Sequence, residues 1–360
     1  MGHGQGPVDG VVMNRSFWNG RRVLLTGHTG FKGSWLTAWL ETLEAEVHGI
    51  SLPAEPDHMY AVIGLDGHAS TLADLRDARI DDVVRAFDPQ IVFHLAAQST
   101  VHNGYRDPET TFSTNVMGTV RLLDALRNAA RSLQSVVVVT TDKVYGSEPR
   151  AFSESDRLVA CDPYSGSKVA QEVIVDSYRY SFFRQSARIV TARAGNVIGG
   201  GDSGPDRLLP DCVRATLASE EVRLRHPDAV RPWQHVLEPL RGYLMYAEAA
   251  AVNPGVPRSL NFGPTPADTA TVGDVASDFL VQLTGSPARI GFGEPDPSMA
   301  ENPCLTIDPA LAAPAIGWKP MLGRATAVSW TAEWHAAALA GDDMRRVTLD
   351  QISRYEELAR

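Results

Sequence analysis

The sequence predicts an α/β fold, with a Rossmann-type, doubly wound parallel sheet and a smaller, mixed C-terminal lobe. Short apolar runs alternate with longer helical patterns up to residue 195. The runs are mainly apolar, as is typical of strands that helices cover on both faces. A glycine-rich turn joins the first run to the first helical pattern, which is the order of elements in nucleotide-binding sheets of this class.

The individual elements follow from hydrophobic spacing. Short, mainly apolar, strand-like runs predict strands at 21–27, 46–52, 90–97, 135–141 and 186–195, with a weaker strand at 68–74. Apolar residues at helical spacing predict helices at 31–45, 77–87, 110–130 and 165–183. Parallel strands need such helical crossovers, so the alternation predicts a parallel sheet.

The pattern changes after residue 195, where Pro, Gly and short helical segments dominate. We therefore expect a flexible N-terminal tail at 1–16, a dinucleotide-binding domain at 17–195, and a mainly substrate-binding lobe at 196–360. The apolar segment 259–263 is a candidate to return to the main sheet.

Composition limits the possible partners and compartments. The 360 residues carry a net charge of −10 and contain no Lys/Arg-rich run, which argues against nucleic acid or an anionic membrane as a partner. No apolar run is long enough to span a membrane. The three cysteines are odd in number and far apart, so we expect neither disulfides nor a metal site, and a reducing, cytoplasmic location.

The turn GHTGFKG connects the first predicted strand to the first predicted helix. Its GxxGxxG spacing lets the backbone approach a pyrophosphate at a helix N-terminus. A purely structural turn is the alternative, but the strand–turn–helix context favours a dinucleotide. The candidate cofactor-binding residues of this turn are Gly27, His28, Gly30, Phe31, Lys32 and Gly33.

These residues leave the choice between NAD and NADP open. Rossmann folds often carry a carboxylate about 20 residues after the turn, where it binds the adenosine ribose. Here the second predicted strand ends in Ser51-Leu52-Pro53. Lys32 could instead meet a 2′-phosphate, so NADP is not excluded beside NAD.

Tyr164 and Lys168 have the YxxxK spacing, which places both side chains on one face of a helix. A cationic Lys168 lowers the pKa of a neighbouring phenol, so that Tyr164 can take a proton from a sugar hydroxyl while hydride leaves its carbon. A surface Tyr–Lys pair is the alternative. The glycine turn, the HLAAQS segment (94–99) and Asn115 together favour catalysis.

A second candidate group, Thr141, Asp142 and Lys143, follows the apolar run VVVV. Strands of open α/β sheets end at the ligand crevice. An acid and an amine there suggest loss of water from a sugar oxidised at C4. Asp142, if protonated, would donate to the C6 oxygen, and Lys143 would either remove the C5 proton or stabilise the enolate. The alternative is a strand-end ion pair worth about 0–1 kcal/mol if exposed.

These motifs resemble the extended short-chain dehydrogenase/reductase superfamily, in which the position of Thr141 belongs to a Ser/Thr that hydrogen-bonds the reacting hydroxyl. The resemblance places Asp74 and Leu75 at the adenine, although Asp74 is equally well interpreted as a helix N-cap. It also implies cofactor contacts at Leu95, Ala96 and Ala97.

From about residue 17 to 355 the chain is similar to the CDP-glucose 4,6-dehydratases. The similarity is carried by FWNGRRVLLTGHTGFKGSWL, TDK, AGNVIGGGD, DRLLPD and RPWQHVLEPLRGYL. It implies NAD-dependent 4,6-dehydration of a nucleotide diphosphate sugar, CDP-glucose or a close NDP-hexose. Val159-Ala160-Cys161 stands where the family has GGH, which leaves the base and the sugar open.

The same resemblance implies a set of substrate-binding residues. Arginine forks suit phosphate oxygens, so Arg207 and Arg231 are expected at the diphosphate together with Asn196, with surface salt bridges as the alternative. The full candidate set is Gln98, Ser99, Tyr105, Asn115, Asn196, Arg207, Arg231 and Glu301.

Two other functions compete with dehydration. A nucleotide-sugar 4-epimerase of the same superfamily would conserve the mass of its substrate and would not need Asp142 or Lys143. A catalytically silent cofactor-binding regulator would usually lack the Tyr or the Lys of YxxxK. The predicted helices 110–130 and 165–183 have broad apolar faces, and the resemblance implies that they pair in a homodimer.

Overall fold

A computed structural model describes residues 13–77, 79–265, 268–293 and 305–359. The strands are β1 (Arg22–Thr26), β2 (Glu46–Ser51), β3 (Ser70–Leu72), β4 (Ile91–His94), β5 (Ser135–Val139), β6 (Ala151–Phe152), β7 (Arg188–Ala194), β8 (Val197–Ile198), β9 (Val222–Leu224), β10 (Val230–Arg231), β11 (Gln234–His235), β12 (Ser259–Phe262), β13 (Ala270–Thr271), β14 (Ile290–Phe292) and β15 (Thr306–Ile307).

The α-helices are α1 (Arg15–Trp18), α2 (Phe31–Thr42), α3 (Met59–Val62), α4 (Ile80–Phe87), α5 (Val101–Arg106), α6 (Pro108–Phe112), α7 (Gly118–Ala129), α8 (Pro163–Ser181), α9 (Leu208–Ala218), α10 (Leu237–Val252), α11 (Val272–Thr284), α12 (Ala312–Ile316), α13 (Arg324–Ala340) and α14 (Met344–Leu358). A π-helical turn covers Ser113–Met117, and a 3₁₀ turn covers Asp142–Val144.

The central sheet has seven parallel strands in the order β12-β7-β5-β4-β1-β2-β3. This arrangement confirms the predicted Rossmann-type fold class. The strand order reverses between β1 and β4, and such a switch point opens a crevice at the carboxyl ends of the strands. β12 is contributed by the C-terminal half of the chain and pairs with β7 at the edge of the sheet.

One predicted helix is divided in the structure. The segment 110–130 forms α6, the π-helical turn and α7 rather than one continuous helix. The π-helical turn carries Asn115, whose side chain bonds outside the helix to the backbone of Gln98 and to Ser167. One added residue in a single turn scarcely alters the spacing of apolar side chains, so the sequence pattern does not reveal it.

Helices cover both faces of the sheet. On one face α2, α10 and α14 pack around the tryptophans Trp35 and Trp39, and residues 33–40 of α2 are all buried. On the other face α4, α7 and α8 pack against apolar side chains of β1, β4 and β5. A separate cluster that includes Phe279 and Trp233 forms the core of the C-terminal lobe.

In the described part of the chain, no helix combines the length and apolar character needed to cross a membrane. Within the same residues, no group of three or more His, Cys, Asp or Glu side chains is placed to hold a metal ion.

Candidate active site

The glycine turn after β1 forms a cradle at the N-terminus of α2. Gly27 has a left-handed backbone (φ +78°), and a Cβ there would lie 2.7 Å from the Ala96 nitrogen. A Cβ on Gly33 would collide with the carbonyl oxygen of Gly27. Gly30 caps α2 without a side-chain hydrogen bond, so no side chain occupies the donors of the first turn. The cradle therefore fits the pyrophosphate of a dinucleotide.

The ring of His28 faces away from this cradle. It packs against Gly49 of β2 and lies edge-on to Tyr60, with 5.1 Å between ring centroids. Burial lowers the pKa of His28 to about 4, although an interaction with the Ile50 backbone acts in the opposite direction. Phe31, the first residue of α2, lies beside Gly199.

Lys32 reaches the catalytic side of the crevice rather than the tip of β2. Its Nζ lies 5.9 Å from the ring centroid of Tyr243. Desolvation and the Arg207 guanidinium lower the pKa of Lys32 to about 8, against the opposing charges of Asp142 and Asp202. The Lys32 side chain therefore extends toward Asp142 at the carboxyl end of β5, and a contact with a 2′-phosphate stays a prediction.

The tip of β2 is occupied by hydroxyl and backbone groups. The Thr29 hydroxyl lies 2.7 Å from the Ser51 hydroxyl and donates to the Leu52 carbonyl oxygen at 2.9 Å. Asp74 lies further along, where both of its carboxylate oxygens bond to Arg76, and the adjoining Leu75 is buried.

Residues 95–97 follow β4 directly across the crevice from the cradle. The amide of Leu95 donates to the Thr26 carbonyl oxygen at 3.1 Å, and the amide of Ala96 donates to the Thr26 hydroxyl at 3.3 Å. Ala97, the next residue, is half-buried. The backbone of this segment thus forms the second wall of the predicted cofactor site.

Thr141, Asp142 and Lys143 lie where β5 ends. The Thr141 hydroxyl donates to Asp142 Oδ1 at 3.0 Å and accepts from the Lys143 amide at 3.3 Å. Asp142 is 2% exposed, and its Oδ2 has no hydrogen-bond partner. Burial raises the pKa of Asp142, while the charge of Lys143, the Thr141 hydroxyl and the charges of Arg231 and Lys32 oppose the rise. Asp142 is therefore a buried acid with one carboxyl oxygen available.

Tyr164 and Lys168 project from the first turns of α8, whose N-terminus is fixed by the capping box of Asp162 and Ser165. Lys168 Nζ donates to the Val139 carbonyl oxygen at 3.2 Å, so the lysine lies under the end of β5. Burial lowers the pKa of Lys168 to about 7. Tyr164 interacts with the Thr141 hydroxyl, while Lys168 reaches the last residue of β5.

The pKa of Tyr164 differs from the expectation. Burial raises it to about 12, although an interaction with the Thr141 hydroxyl and the charge of Arg207 act in the opposite direction. Desolvation of the phenolate outweighs these groups in the protein alone. Lowering the pKa toward neutral therefore requires a further positive charge beside Tyr164.

The substrate-side candidates form two groups. The inner group, expected at the sugar, is Gln98, Ser99, Tyr105 and Asn115, and the outer group, expected at the diphosphate, is Asn196, Arg207 and Arg231. Asn115 is fully buried, accepts from the Gln98 amide at 2.8 Å and donates to the Ser167 hydroxyl at 2.8 Å. It therefore fixes the backbone of the segment after β4. Gln98 Nε2 is buried and has no hydrogen-bond partner. Tyr105 of α5 is half-buried.

Arg207 is the best-defined cation of the outer group. It donates to Asp202 Oδ1 at 2.6 Å and to the Ser99 hydroxyl at 2.9 Å. Arg231 is 3% exposed, and its charge acts on Asp142. Asn196 is half-buried, and its backbone carbonyl oxygen accepts a hydrogen bond from the backbone N–H of Gln234. Glu301 lies outside the described residues.

Three contributors were not predicted from the sequence. Asp202 holds Arg207, Ser167 holds Asn115, and Tyr243 faces Lys32. Of these three residues, only Ser167 lies within a motif recognised in the sequence, the YxxxK segment of α8. The other two come from an irregular loop and from α10, where no local spacing indicates their partners.

Known proteins resemble this chain in sequence and in fold. The model of the NAD dependent epimerase/dehydratase family matches residues 23–263. A CDP-glucose 4,6-dehydratase of Salmonella typhimurium is 38% identical over 96% of this chain and 98% of its own length. A dTDP-glucose 4,6-dehydratase of Streptomyces griseus is 30% identical over 61% of this chain and 67% of its own length.

Solved structures share the architecture. MoeE5 in complex with UDP-glucose and NAD matches with a TM-score of 0.76 at 25% identity, over 88% of this chain and 99% of its own. The fold is also that of a DesIV double mutant, a dTDP-glucose 4,6-dehydratase from Streptomyces venezuelae with NAD bound, at a TM-score of 0.77 and 21% identity, covering 90% of this chain and 99% of that one.

Proposed function

The chain belongs to the NAD dependent epimerase/dehydratase family, and from this premise we propose that it is a hydro-lyase that converts CDP-glucose to its 4-keto-6-deoxy product. The near full-length similarity to a CDP-glucose 4,6-dehydratase supports this choice among nucleotide sugars. Dehydration at C5–C6 requires an acid for the departing hydroxyl and a group that accepts or stabilises the charge developing at C5.

One observation carries the proposal against a 4-epimerase. Asp142 is buried beside Thr141, its pKa is raised, and its Oδ2 is unpartnered. Such a carboxyl group retains its proton above the usual range and can donate it to a leaving oxygen. Epimerisation at C4 releases no hydroxyl group, so it does not require a general acid at the position of Asp142.

The cofactor assigned to the cradle is NAD. Gly27, Gly30 and Gly33 would hold its pyrophosphate, while the Leu95–Ala97 backbone forms the opposite wall. When bound, NAD supplies the oxidant for C4 and the reductant for C6. Because NAD ends each cycle in its oxidised form, we expect one bound NAD to support the formation of many product molecules.

For the first step, Tyr164 removes the proton of the C4 hydroxyl while hydride leaves C4. Lys168, held on the Val139 carbonyl oxygen, contributes positive charge beneath the site when it is protonated. Thr141 orients the reacting hydroxyl through its side-chain oxygen. Burial raises the pKa of Tyr164 to about 12 in the protein alone, and a bound oxidised nicotinamide would supply the positive charge that lowers it.

The second step removes water across C5 and C6. The C5–H bond is acidic because it is α to the new ketone, and its electrons form the C5–C6 double bond as the C6–O bond breaks. Asp142 donates its proton to the departing oxygen and forms water. Lys143 either takes the C5 proton as a neutral amine, or remains charged and stabilises the enolate while a water molecule takes the C5 proton. Hydride returns to C6, and C5 regains a proton.

The diphosphate is assigned to Arg207, Arg231 and Asn196. Arg207 supports this assignment because Asp202 and the Ser99 hydroxyl fix its guanidinium at the mouth of the crevice. Gln98, Ser99, Tyr105 and Asn115 would line the sugar side. Glu301 remains a proposed member of this set.

The assembly and location are also inferred. Exposed apolar side chains on α8, Val173 and Tyr180, support a homodimer formed by this helix and the segment 110–130. The unpaired Cys161 and Cys212 agree with a reducing, cytoplasmic location. The proposed division at residue 195 assigns the cofactor mainly to the first part of the chain and the substrate mainly to the second.

The direct test is the mass of the product. The purified protein is incubated with NAD and CDP-glucose, and with UDP-, GDP- and dTDP-glucose in parallel. We expect loss of one water from CDP-glucose without net NADH. An unchanged mass with inverted stereochemistry at C4 would identify an epimerase instead, and water loss from another nucleotide alone would reassign the base.

A further inference from the structure

The short turn that carries Asp142 and Lys143 is anchored at both ends. At its start, the Thr140 hydroxyl donates to Glu172 Oε1 at 2.7 Å. At its end, Tyr145 is 2% exposed and its ring stacks on Phe152 at 5.2 Å between centroids. A 3₁₀ turn of three residues has little stability of its own, so these anchors set its orientation.

The hydroxyl of Tyr145 lies between two fixed polar side chains. It accepts from Arg193 Nη1 at 2.7 Å and donates to Asn261 Oδ1 at 2.8 Å. Arg193 is itself fixed by two further hydrogen bonds to the carboxylate of Glu172, both at 2.9 Å. Asn261 belongs to β12 and also donates to the Phe152 carbonyl oxygen at 3.0 Å. The turn is thus tied to two strands of the central sheet.

Tyr164 and Lys168 are held by different contacts. Lys168 donates to the Val139 carbonyl oxygen, and the Ser167 hydroxyl donates to the Tyr164 carbonyl oxygen at 2.7 Å. Asn115 donates in turn to Ser167. None of these contacts includes the Tyr145 hydroxyl. The two groups share Glu172, which lies one turn after Lys168 on α8 and binds Arg193, but removing the Tyr145 hydroxyl leaves those bonds in place.

We propose that Tyr145 is a positioning residue for the elimination of water, because its hydroxyl, fixed between Arg193 and Asn261, holds Asp142 and Lys143 toward C6 and C5 of the sugar. This inference rests on the proposed function. It assigns to Tyr145 no proton transfer. Burial raises its pKa to about 12, so the phenol stays protonated and continues to donate to Asn261.

The test is Tyr145→Phe, which removes the hydroxyl and keeps the stacked ring. Arg193 retains both bonds to Glu172, so the buried guanidinium is not left unpaired and the variant is expected to fold. Tyr246→Phe is the matched control, because it removes another buried hydroxyl, bonded to the Pro257 carbonyl oxygen at 2.7 Å, from α10. Water loss by the wild type is established first, so that failure of the proposed function is recognised separately.

Single turnovers of the NAD-loaded enzyme with CDP-glucose are followed by absorbance of the reduced nicotinamide. In Tyr145→Phe we expect the rise, which reports C4 oxidation, to stay within about twofold, and the decay to slow about tenfold, as for the loss of one to two hydrogen bonds. Deuterium at C5 should slow this decay further. Tyr246→Phe should change neither phase.

Three results would overturn the inference. The first is an unchanged decay in Tyr145→Phe. The second is an equal slowing of rise and decay, which would indicate a general disturbance of the site. The third is a slowed decay without a C5 isotope effect, which would place the defect in the return of hydride.

Discussion

At the scale of single residues, the access of a substrate atom to the Asp142 carboxyl group depends on the space beside its Oδ2. A Cβ on Gly195 would lie 3.0 Å from Asp142 Oδ2 and 2.7 Å from Pro232 Cγ. The glycine therefore gives room for the unpartnered carboxyl oxygen and for any substrate atom that approaches it. Because the surroundings are dry, the same oxygen favours its protonated form.

We predict that Asp142→Asn loses dehydration by about 10²- to 10⁴-fold, because the amide matches the carboxyl in shape but cannot transfer a proton to the C6 oxygen. The product is measured by mass, and single-turnover absorbance reports C4 oxidation, which should persist. Asp350→Asn, an exposed change on α14, is the control. Dehydration within about threefold of the wild type would exclude Asp142 as the acid, since general acid catalysis contributes far more.

At the scale of elements, the cradle between β1 and α2 depends on two backbone segments that approach without side chains between them. A Cβ on Gly33 would lie 2.7 Å from the His28 Cα and would also strike the Gly27 carbonyl oxygen. Both atoms belong to the turn itself, so neither can rotate away as a flexible side chain would. The turn must shift to accommodate any larger residue.

We predict that Gly33→Ala weakens NAD binding by at least about tenfold, because a displacement of this turn misaligns the N–H groups that face the pyrophosphate. Binding is measured by calorimetry. Gly67→Ala is the control, since its Cβ would meet no atom within 4 Å. NAD affinity equal to that of the wild type in a folded Gly33→Ala protein would contradict the assignment of the cradle.

The elements were easier to predict than the contacts between them. The apolar runs of β1 and β5 and the YxxxK spacing on α8 are properties of single segments, so the sequence reveals them. The bond between Tyr145 and Asn261 joins residues 116 positions apart, and no local pattern indicates it. The direction of the Lys32 side chain is likewise not indicated by any local pattern, because it depends on the carboxylates and the ring that α10 and the loop at 202 bring to the crevice.

At the scale of the whole molecule, buried histidines make folding sensitive to acid. Burial lowers the pKa of His28 and His335 to about 4, and of His94 and His235 to about 3. The unfolded chain binds protons at these positions below about pH 6.5, whereas the folded chain does not. Each histidine therefore removes stability as the pH falls from about 6.5 toward its folded pKa.

His335 offers a clean test, because its Nε2 has no hydrogen-bond partner and its ring packs edge-on against Trp334 and Phe279. Relative to His335→Leu, the wild type should lose about 1.4 kcal/mol of unfolding free energy per pH unit below pH 6.5, or about 2 kcal/mol at pH 5. Asp202, the charge that acts on this ring, is present in both proteins. Urea unfolding followed by tryptophan fluorescence measures the difference, and a value independent of pH between 7.5 and 5 would contradict the prediction.

The assembly of two chains is the largest-scale prediction. Val173 and Tyr180 are 61% and 67% exposed, and they lie seven positions apart on the same face of α8. Large apolar side chains repeated along one helix are typical of a surface that a second subunit covers. We expect a dimer by light scattering and a shift to monomer in Val173→Glu, because the interface would have to bury an unpaired carboxylate. Val281→Glu, which changes an exposed valine on α11, should remain dimeric. A monomeric wild type would contradict the dimer. Equal dissociation of both variants would contradict an interface on this face of α8.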